Sequence, residues 1–444
     1  MKNPIHFGSM IVSGIGVSMN RFISAVVLCG LSGLSLASAE IPSAITPLDL
    51  ATPATESSSF LARLRAKRSA MSDKGYDWQF VYKLDVLGKV TAPGRQTFGL
   101  DNIDIKLLLN GEKIVGIKGA SGLIHVLSNH GSKPALRSDR IPHGLDNIET
   151  PYNANTTKLY QAWLQQEFLD SRVSVLAGLY DLNSEFYVNE LAGIFLHPTF
   201  GIGAEFAGTG LNGPSIFPTT SLAIRVKAQP VPGYFIQAVT LDAVPGDLNN
   251  AHGTHVQFNK GEGALNVVEG EIPLGKSDDL HDNKITLGVW RYTARFDDVL
   301  DQDSSGNPLQ RISHGVYSTV EKVFMHNPAT HEESLRGFVR VGKTEGDTSQ
   351  FDMSWSTGLV FEGLLAGRDE DVFGVAFAQE RNSVKWRAAT GNPTAYEKSF
   401  EAGYRYFVTT NIVLQPFAQY LLDHSNNPNQ NKTWWLGTRL EATF

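Results

Sequence analysis

The C-terminal stretch Trp434-Trp435-Leu436-Gly437-Thr438-Arg439-Leu440-Glu441-Ala442-Thr443-Phe444 decides the fold. Counted in twos, Trp434, Leu436, Thr438, Leu440, Ala442 and Phe444 make one face, apolar or nearly so. Trp435, Gly437, Arg439, Glu441 and Thr443 make the other. A period of two is the signature of a β-strand with two unlike faces. Two settings fit such a strand. One is the half-buried sheet of a soluble sandwich. The other is the closing strand of a bacterial outer-membrane barrel, with its apolar face on lipid and its polar face on a lumen.

One alternating segment says little, but the pattern recurs from Tyr76 to the C-terminus. Trp78, Phe80, Tyr82, Leu84 and Val86 interleave with Gln79, Lys83 and Asp85. Ile103, Ile105, Leu107 and Leu109 interleave with Asp104 and Lys106. Tyr160, Ala162 and Leu164 face away from Gln161, Trp163 and Gln165, with Glu167 further on. Leu222, Ile224 and Val226 oppose Arg225 and Lys227; Val339 and Val341 oppose Arg340; Phe400, Ala402, Tyr404 and Tyr406 oppose Glu401 and Arg405. A sandwich would carry far more Lys and Glu on its exposed faces. Charged residues are only 19 % of this chain, with 42 glycines for turns. The pattern therefore predicts an all-β antiparallel outer-membrane barrel. At roughly 23 residues per strand and its share of connections, residues 76–444 give about 16 strands. Aromatics near strand ends (Tyr180, Phe186, Tyr187, Trp290, Tyr292, Tyr404, Tyr406, Tyr420, Trp434 and Trp435) suit interfacial girdles, with some of them on the lumen side. Long polar connections at 128–157, 245–263 and 297–312 alternate with short ones such as the Pro/Gly turn at 229–233, as outer loops and periplasmic turns do.

The N-terminus has a different character. Asn20-Arg21, an apolar run from Phe22 and the ending Ala37-Ser38-Ala39 read as a secretion signal over residues 1–39. Its removal takes away Lys2, Arg21 and the single cysteine, Cys29, and moves the formal charge from −7 to −9. A mature chain of this size without disulfides needs a large core or a closed sheet. Residues 40–75 are expected to be a periplasmic lead-in containing a short basic helix near 58–71. Residues 76–444 are expected to be the barrel. No Lys/Arg-rich run points to nucleic acid.

Several stretches taken together resemble the carbohydrate-selective porins of the OprB type. They include Leu159-Tyr160-Gln161-Ala162-Trp163-Leu164-Gln165-Gln166, Val175-Leu176-Ala177-Gly178-Leu179-Tyr180-Asp181, Pro214-Ser215-Ile216-Phe217-Pro218 and Leu287-Gly288-Val289-Trp290-Arg291-Tyr292. The series continues through Tyr396-Glu397-Lys398-Ser399-Phe400-Glu401 to Leu436-Gly437-Thr438-Arg439-Leu440-Glu441. The resemblance covers about Tyr76 to Phe444. It implies a 16-stranded outer-membrane barrel passing small sugars such as glucose, with outer-membrane lipid and carbohydrate solutes as its partners. The sequence leaves monomer and trimer open.

A sugar channel needs no catalytic group, metal or cofactor. It needs planar hydrogen-bonding charges for hydroxyls and aromatic faces for sugar rings. Alternation places Arg225, Lys227, Arg340, Arg405 and Arg439 on the lumen face, with Glu167, Glu401 and Glu441 as partners and Trp163 and Trp290 as stacking surfaces. A charge facing lipid instead would cost about 2–4 kcal/mol at the midplane. Each charge could equally be an ion pair that stiffens the wall. Other chemistry is poorly supported. His252-Gly253-Thr254-His255 lacks the helical HExxH form of a zinc protease, and Asp369-Glu370-Asp371 reads as an acidic loop before a cation site. The alternatives are the same barrel passing organic acids or other nutrients, and, further off, a barrel enzyme or adhesin.

Overall fold

The computed structural model describes residues 57–91, 96–134, 144–150, 155–274, 283–326, 333–423 and 432–444. The expected secretion signal and the lead-in up to residue 56 lie outside them. Sixteen strands close into one antiparallel barrel. In chain order they begin with β1 (Tyr76–Lys89), β2 (Gln96–Asn110), β3 (Ala120–Gly131), β4 (Thr156–Phe168), β5 (Val173–Tyr180) and β6 (Ser221–Val231). Then come β7 (Tyr234–Asp242), β8 (Ala264–Pro273) and β9 (Lys284–Tyr292). The hairpin of β10 (Phe296–Gln302) and β11 (Pro308–Arg311) stands apart from the wall. The wall resumes with β12 (His314–His326), β13 (Glu333–Thr344), β14 (Phe351–Glu362), β15 (Val372–Asn382), β16 (Tyr396–Thr409), β17 (Ile412–Leu422) and β18 (Lys432–Thr443). Among the described residues four α-helices flank it: α1 (Ser57–Asp73), α2 (Gly111–Val115), α3 (Ala204–Ala207) and α4 (Val384–Thr390).

Closure is made by the stretch that opened the sequence reading. β18 pairs with β1 from Val81–Thr443 to Lys89–Trp435, so Asp85 faces Arg439 across the seam. The Phe80 amide donates to the Phe444 carbonyl at 2.9 Å. No sheet edge is left to satisfy in lipid. The end of the barrel that holds Tyr76 and Phe444 has short turns, such as Pro232-Gly233 and Thr410-Asn411. The other end carries the long connections 132–155, 181–220, 243–263 and 293–313. Short turns mark the periplasmic end and long loops the outer end. The helix expected near 58–71 is α1, at the periplasmic end, where Arg68 donates to the Trp78 carbonyl at 2.8 Å.

The outward face is the legible one. Leu164, Ile224, Leu287, Val316, Val339 and Leu436 are exposed to the surroundings of the barrel, while their strand neighbours are buried or half-buried inside. An outward aromatic ladder runs Trp355, Phe377, Phe400, Tyr420 and Trp434, with neighbouring ring centroids 4.5 to 6.5 Å apart. The expected girdle needs correction at six positions. Tyr180, Phe186, Tyr187, Trp290, Tyr292 and Trp435 are at most 2 % exposed and lie inside the barrel. There Phe186 and Tyr187 belong to an inward-folded loop, and the other four pack against inward-folded loops. Tyr160 is also corrected. A register shift between β3 and β4 at His125/Val126 turns it inward, and its hydroxyl donates to Asp181 at 2.8 Å.

Candidate functional site

The connection 181–220 between β5 and β6 folds into the lumen and follows the wall from β6 round to β17. Its residues are not those of a polar loop: Leu191, Ile194, Phe195, Phe200 and Phe206 are buried. Backbone groups turned into the lumen need partners, and lumen-facing charges supply them. Glu269 on β8 accepts from the Tyr187 amide at 2.7 Å, and Glu321 on β12 accepts from the Glu190 amide at 3.0 Å. Arg340 on β13 donates to the carbonyls of Thr199 and Phe200. Glu401 on β16 accepts from the amides of Leu196 (2.6 Å) and His197 (2.8 Å). Gln415 on β17 donates to the Ile194 carbonyl at 2.6 Å. On the near side, Glu185 receives Arg225 of β6 through two hydrogen bonds of 2.8 and 2.9 Å.

Helix α3 is seated against β9, β13 and β14. The Phe206 ring stacks on Trp290 with centroids 4.5 Å apart and planes within 6°. Burial pushes the Glu205 carboxyl above its ordinary value, and the hydroxyls of Tyr187 and Ser354 donate to it. This seat needs a glycine. A Cβ at Gly342 would overlap the Glu205 carboxylate, so only a bare backbone lets α3 reach the wall.

A second inward segment, 144–150, joins the first. The Asn147 amide donates to the Leu196 carbonyl at 2.7 Å. Arg439 donates to Asp85, Asp146 and Asn147, tying this segment to the β1–β18 seam. Burial, with Asp85 alongside, pushes the Asp146 carboxyl well above its ordinary value, and Arg439 opposes this.

The sequence-selected residues thus divide. Arg225, Arg340, Arg439 and Glu401 lie on the lumen face but are buried and committed to the inward loops. Trp290 is 2 % exposed beneath α3, so its ring does not face open lumen. Arg405 and Glu441 form a half-buried pair at 3.2 Å. Lys227 sits over the Phe235 ring at 4.3 Å. Glu167 accepts from Ser171 at 2.5 Å and Gln165 at 3.4 Å. Trp163 is half-buried.

The wall of β2, β3, β4 and β6 brings some of these residues into adjacent lumen rungs. One rung holds Lys106, His125 and Gln161. The next holds Leu108, Leu123 and Trp163. The third holds Ser121 and Gln165, with Arg225 reaching the Gln165 Oε1 at 2.7 Å. The Trp163 indole N–H donates to Gln161 at 3.3 Å, His125 pairs with Asp104 at 2.8 Å, and Lys83 lies 3.8 Å from Asp104. Leu108 is 41 % exposed although it faces the lumen. The strip is therefore an apolar rung bordered on both sides by hydrogen-bonding groups. Sequence reasoning placed Asp104, Lys106 and Gln161 on this face without selecting them, and it missed Leu108 and His125. Period two could have indicated the face of Leu108 and His125, but neutral and apolar residues were not sought there.

The profile of the family described as carbohydrate-selective porin, OprB family, matches residues 91–444. Porin B of Pseudomonas aeruginosa is 23 % identical over 334 residues, covering 70 % of this chain and 71 % of that protein. Among solved structures, the high-pH structure of Pseudomonas putida OprB superposes with a TM-score of 0.74 at 20 % identity, covering 86 % of this chain and 97 % of that one. The low-pH structure of the same protein gives 0.57 at 18 % identity, over 86 % and 96 %. These structural likenesses speak for the fold. The family match spans most of the chain and all sixteen wall strands except β1, and with it this chain belongs to the OprB family of carbohydrate-selective porins of the Gram-negative outer membrane.

Proposed function

We propose that this porin passes small sugars such as glucose along the strip of β2, β3, β4 and β6, and that the inward loops narrow the lumen opposite that strip. The observation that carries the reading is the placement of Trp163. Its half-buried ring shares a rung with Leu123 and exposed Leu108, between a rung bearing Gln161 and Lys106 and a rung bearing Gln165. A pyranose has apolar C–H faces and an equatorial rim of hydroxyls. An aromatic and aliphatic rung takes the face, and the amides on both sides, with Lys106 on one of them, take the rim. Such contacts are individually weak, so a solute both enters and leaves. Glu167, Lys227 and the Arg405–Glu441 pair lie nearer the periplasmic end and form the exit. Arg225, Arg340, Arg439, Glu401 and Trp290 hold the constriction without touching solute. This reading asks for passive diffusion and no reacting group. Residues 1–39 serve export, and α1 stays on the periplasmic side.

The test is ion current through single channels in planar bilayers, with glucose, maltotriose or succinate added. Saturable block by glucose that succinate does not produce supports the reading. Open channels that succinate blocks and glucose leaves unaffected would reject it in favour of an organic-acid channel.

A further inference from the structure

We propose that the outward face of β7, β8, β9, β12 and β13 binds one phosphorylated, acylated glycolipid of the surrounding outer leaflet, its chain in a trough and its phosphate between Arg291 and Lys343. The trough measures about 490 Å³. Its outward lining is Ile236, Val268, Leu287, Val289, Val316 and Val341, with Gly270 and Ser318 leaving the floor low. Two ladders build it: Val268, Val289, Val316 and Lys343 in one, and Gly270, Leu287, Ser318 and Val341 in the next. The aromatic ladder of β14–β18 has no counterpart among these residues. The surface is aliphatic and indented where the other side is ringed.

The charge pattern identifies the occupant. Lys343 ends the first ladder at its outer side. One rung further out, Arg291 pairs with His314 and Asn266. Both cations are exposed, between inward-facing Trp290 and Tyr292 in one case and Gly342 and Thr344 in the other. Among the described residues neither forms a salt bridge. Other outer-end cations on the outward face do: Arg381 is 2.6 Å from Asp352, and Lys398 is 2.9 Å from Asp423. Glu345, two residues beyond Lys343, accepts from the His314 amide and from the hydroxyls of Thr344 and Thr348. Strand spacing and rise put the Cα atoms of Arg291 and Lys343 about 12 Å apart, a span that two long side chains close around a single phosphate. Unpaired cations on a lipid-facing wall are costly, and an anion supplied by the leaflet removes that cost while its chain fills the trough.

The experiment is native mass spectrometry of delipidated protein in maltoside micelles. The probe is diphosphoryl lipid A, with phosphatidylcholine and inorganic phosphate as comparators. Wild type should retain one lipid A per barrel. R291Q/K343Q should lower that retention at least tenfold. G270L should lower it too, because a Cβ there meets only the Phe235 carbonyl at 3.5 Å and the leucine fills the trough. R381Q should bind as wild type does. Heat-resistant gel migration and unchanged conductance establish that each variant folds. Wild-type retention by R291Q/K343Q, equal retention of phosphatidylcholine, or displacement of the lipid by inorganic phosphate would overturn the proposal. So would lipid-free oligomers that G270L disperses, since the face would then belong to a second copy.

Discussion

Trp163 and Trp290 both sit on the lumen side of the wall and pack against one buried cluster, yet they differ in what covers them. Trp290 lies under α3, stacked on Phe206 and edge-on to Tyr292. Trp163 keeps part of its ring open beside Gln161 and Leu123. The charges follow the same division. From β7 round to β17, the lumen-facing Glu269, Glu321, Arg340 and Glu401 are hydrogen-bonded to the backbone of the inward loop. On β2 and β6, Lys106 and Lys227 are half-buried and form no ion pair among the described residues. A lumen-facing charge is therefore not yet a solute contact. In a barrel of this width much of the lumen face is the footing of a loop, and only the wall left clear of it is available to a passing molecule.

The largest effect is expected where footing is removed. Arg439→Met leaves Asp85 and Asp146 buried without their cation, and breaking such a cluster costs about 3–5 kcal/mol. Urea unfolding in lipid vesicles should show that loss. An unchanged midpoint would mean that the β1–β18 seam does not depend on the inward segment. Next comes Glu401→Ala, which strands the amides of Leu196 and His197 at about 1–3 kcal/mol. Single-channel traces should become noisier and the mean conductance should rise as the loop loosens, with glucose block retained.

On the clear wall the effects should be smaller and should spare stability. Lys106→Gln removes one charge-assisted contact to a hydroxyl, about 1 kcal/mol or roughly fivefold in glucose affinity, with the same unfolding midpoint. The smallest effect lies outside both the footing and the clear wall. In the periplasmic turn before β15, Asp371 accepts from Arg368, Tyr404 and the Phe407 amide, and these partners hold its carboxyl down at about 2. A depressed carboxylate contributes stability above the unfolded value near 4 and loses it as pH falls through about 2. Unfolding of wild type and Asp371→Asn should therefore differ at pH 6 and converge toward pH 2, with glucose block alike at neutral pH. A constant gap across that range would remove Asp371 from the ledger of the turn.

The outward face was legible because lipid imposes one rule on every second residue. The strands at 78–86, 103–109, 222–227 and 434–444 obey it, and the count of about 16 followed from the length of 76–444 at roughly 23 residues per strand and its connections. The inward face answers to two solvents, water and protein, so alternation alone cannot say which one a residue meets. Trp435 and Tyr292 look like girdle aromatics in sequence, but Trp435 packs against Phe98 and Tyr292 against Phe296. The inward course of residues 181–220 did leave a trace. Leu191, Ile194, Phe195, Phe200 and Phe206 are too apolar for an outer loop in water and lack period two. Tyr160 could not have been placed by period, because the register shift at His125/Val126 changes its face.

The most direct measurement is a glucose-block titration on Trp163→Ala and Trp290→Ala, each paired with its unfolding midpoint. Losing the open ring of Trp163 should weaken block by about 1 kcal/mol, roughly fivefold, with an unchanged midpoint. Trp290→Ala should cost about 3–5 kcal/mol of stability while channels that remain folded bind glucose normally. Normal block in Trp163→Ala, or lost block in a fully stable Trp290→Ala, would contradict the division of the lumen into footing and path.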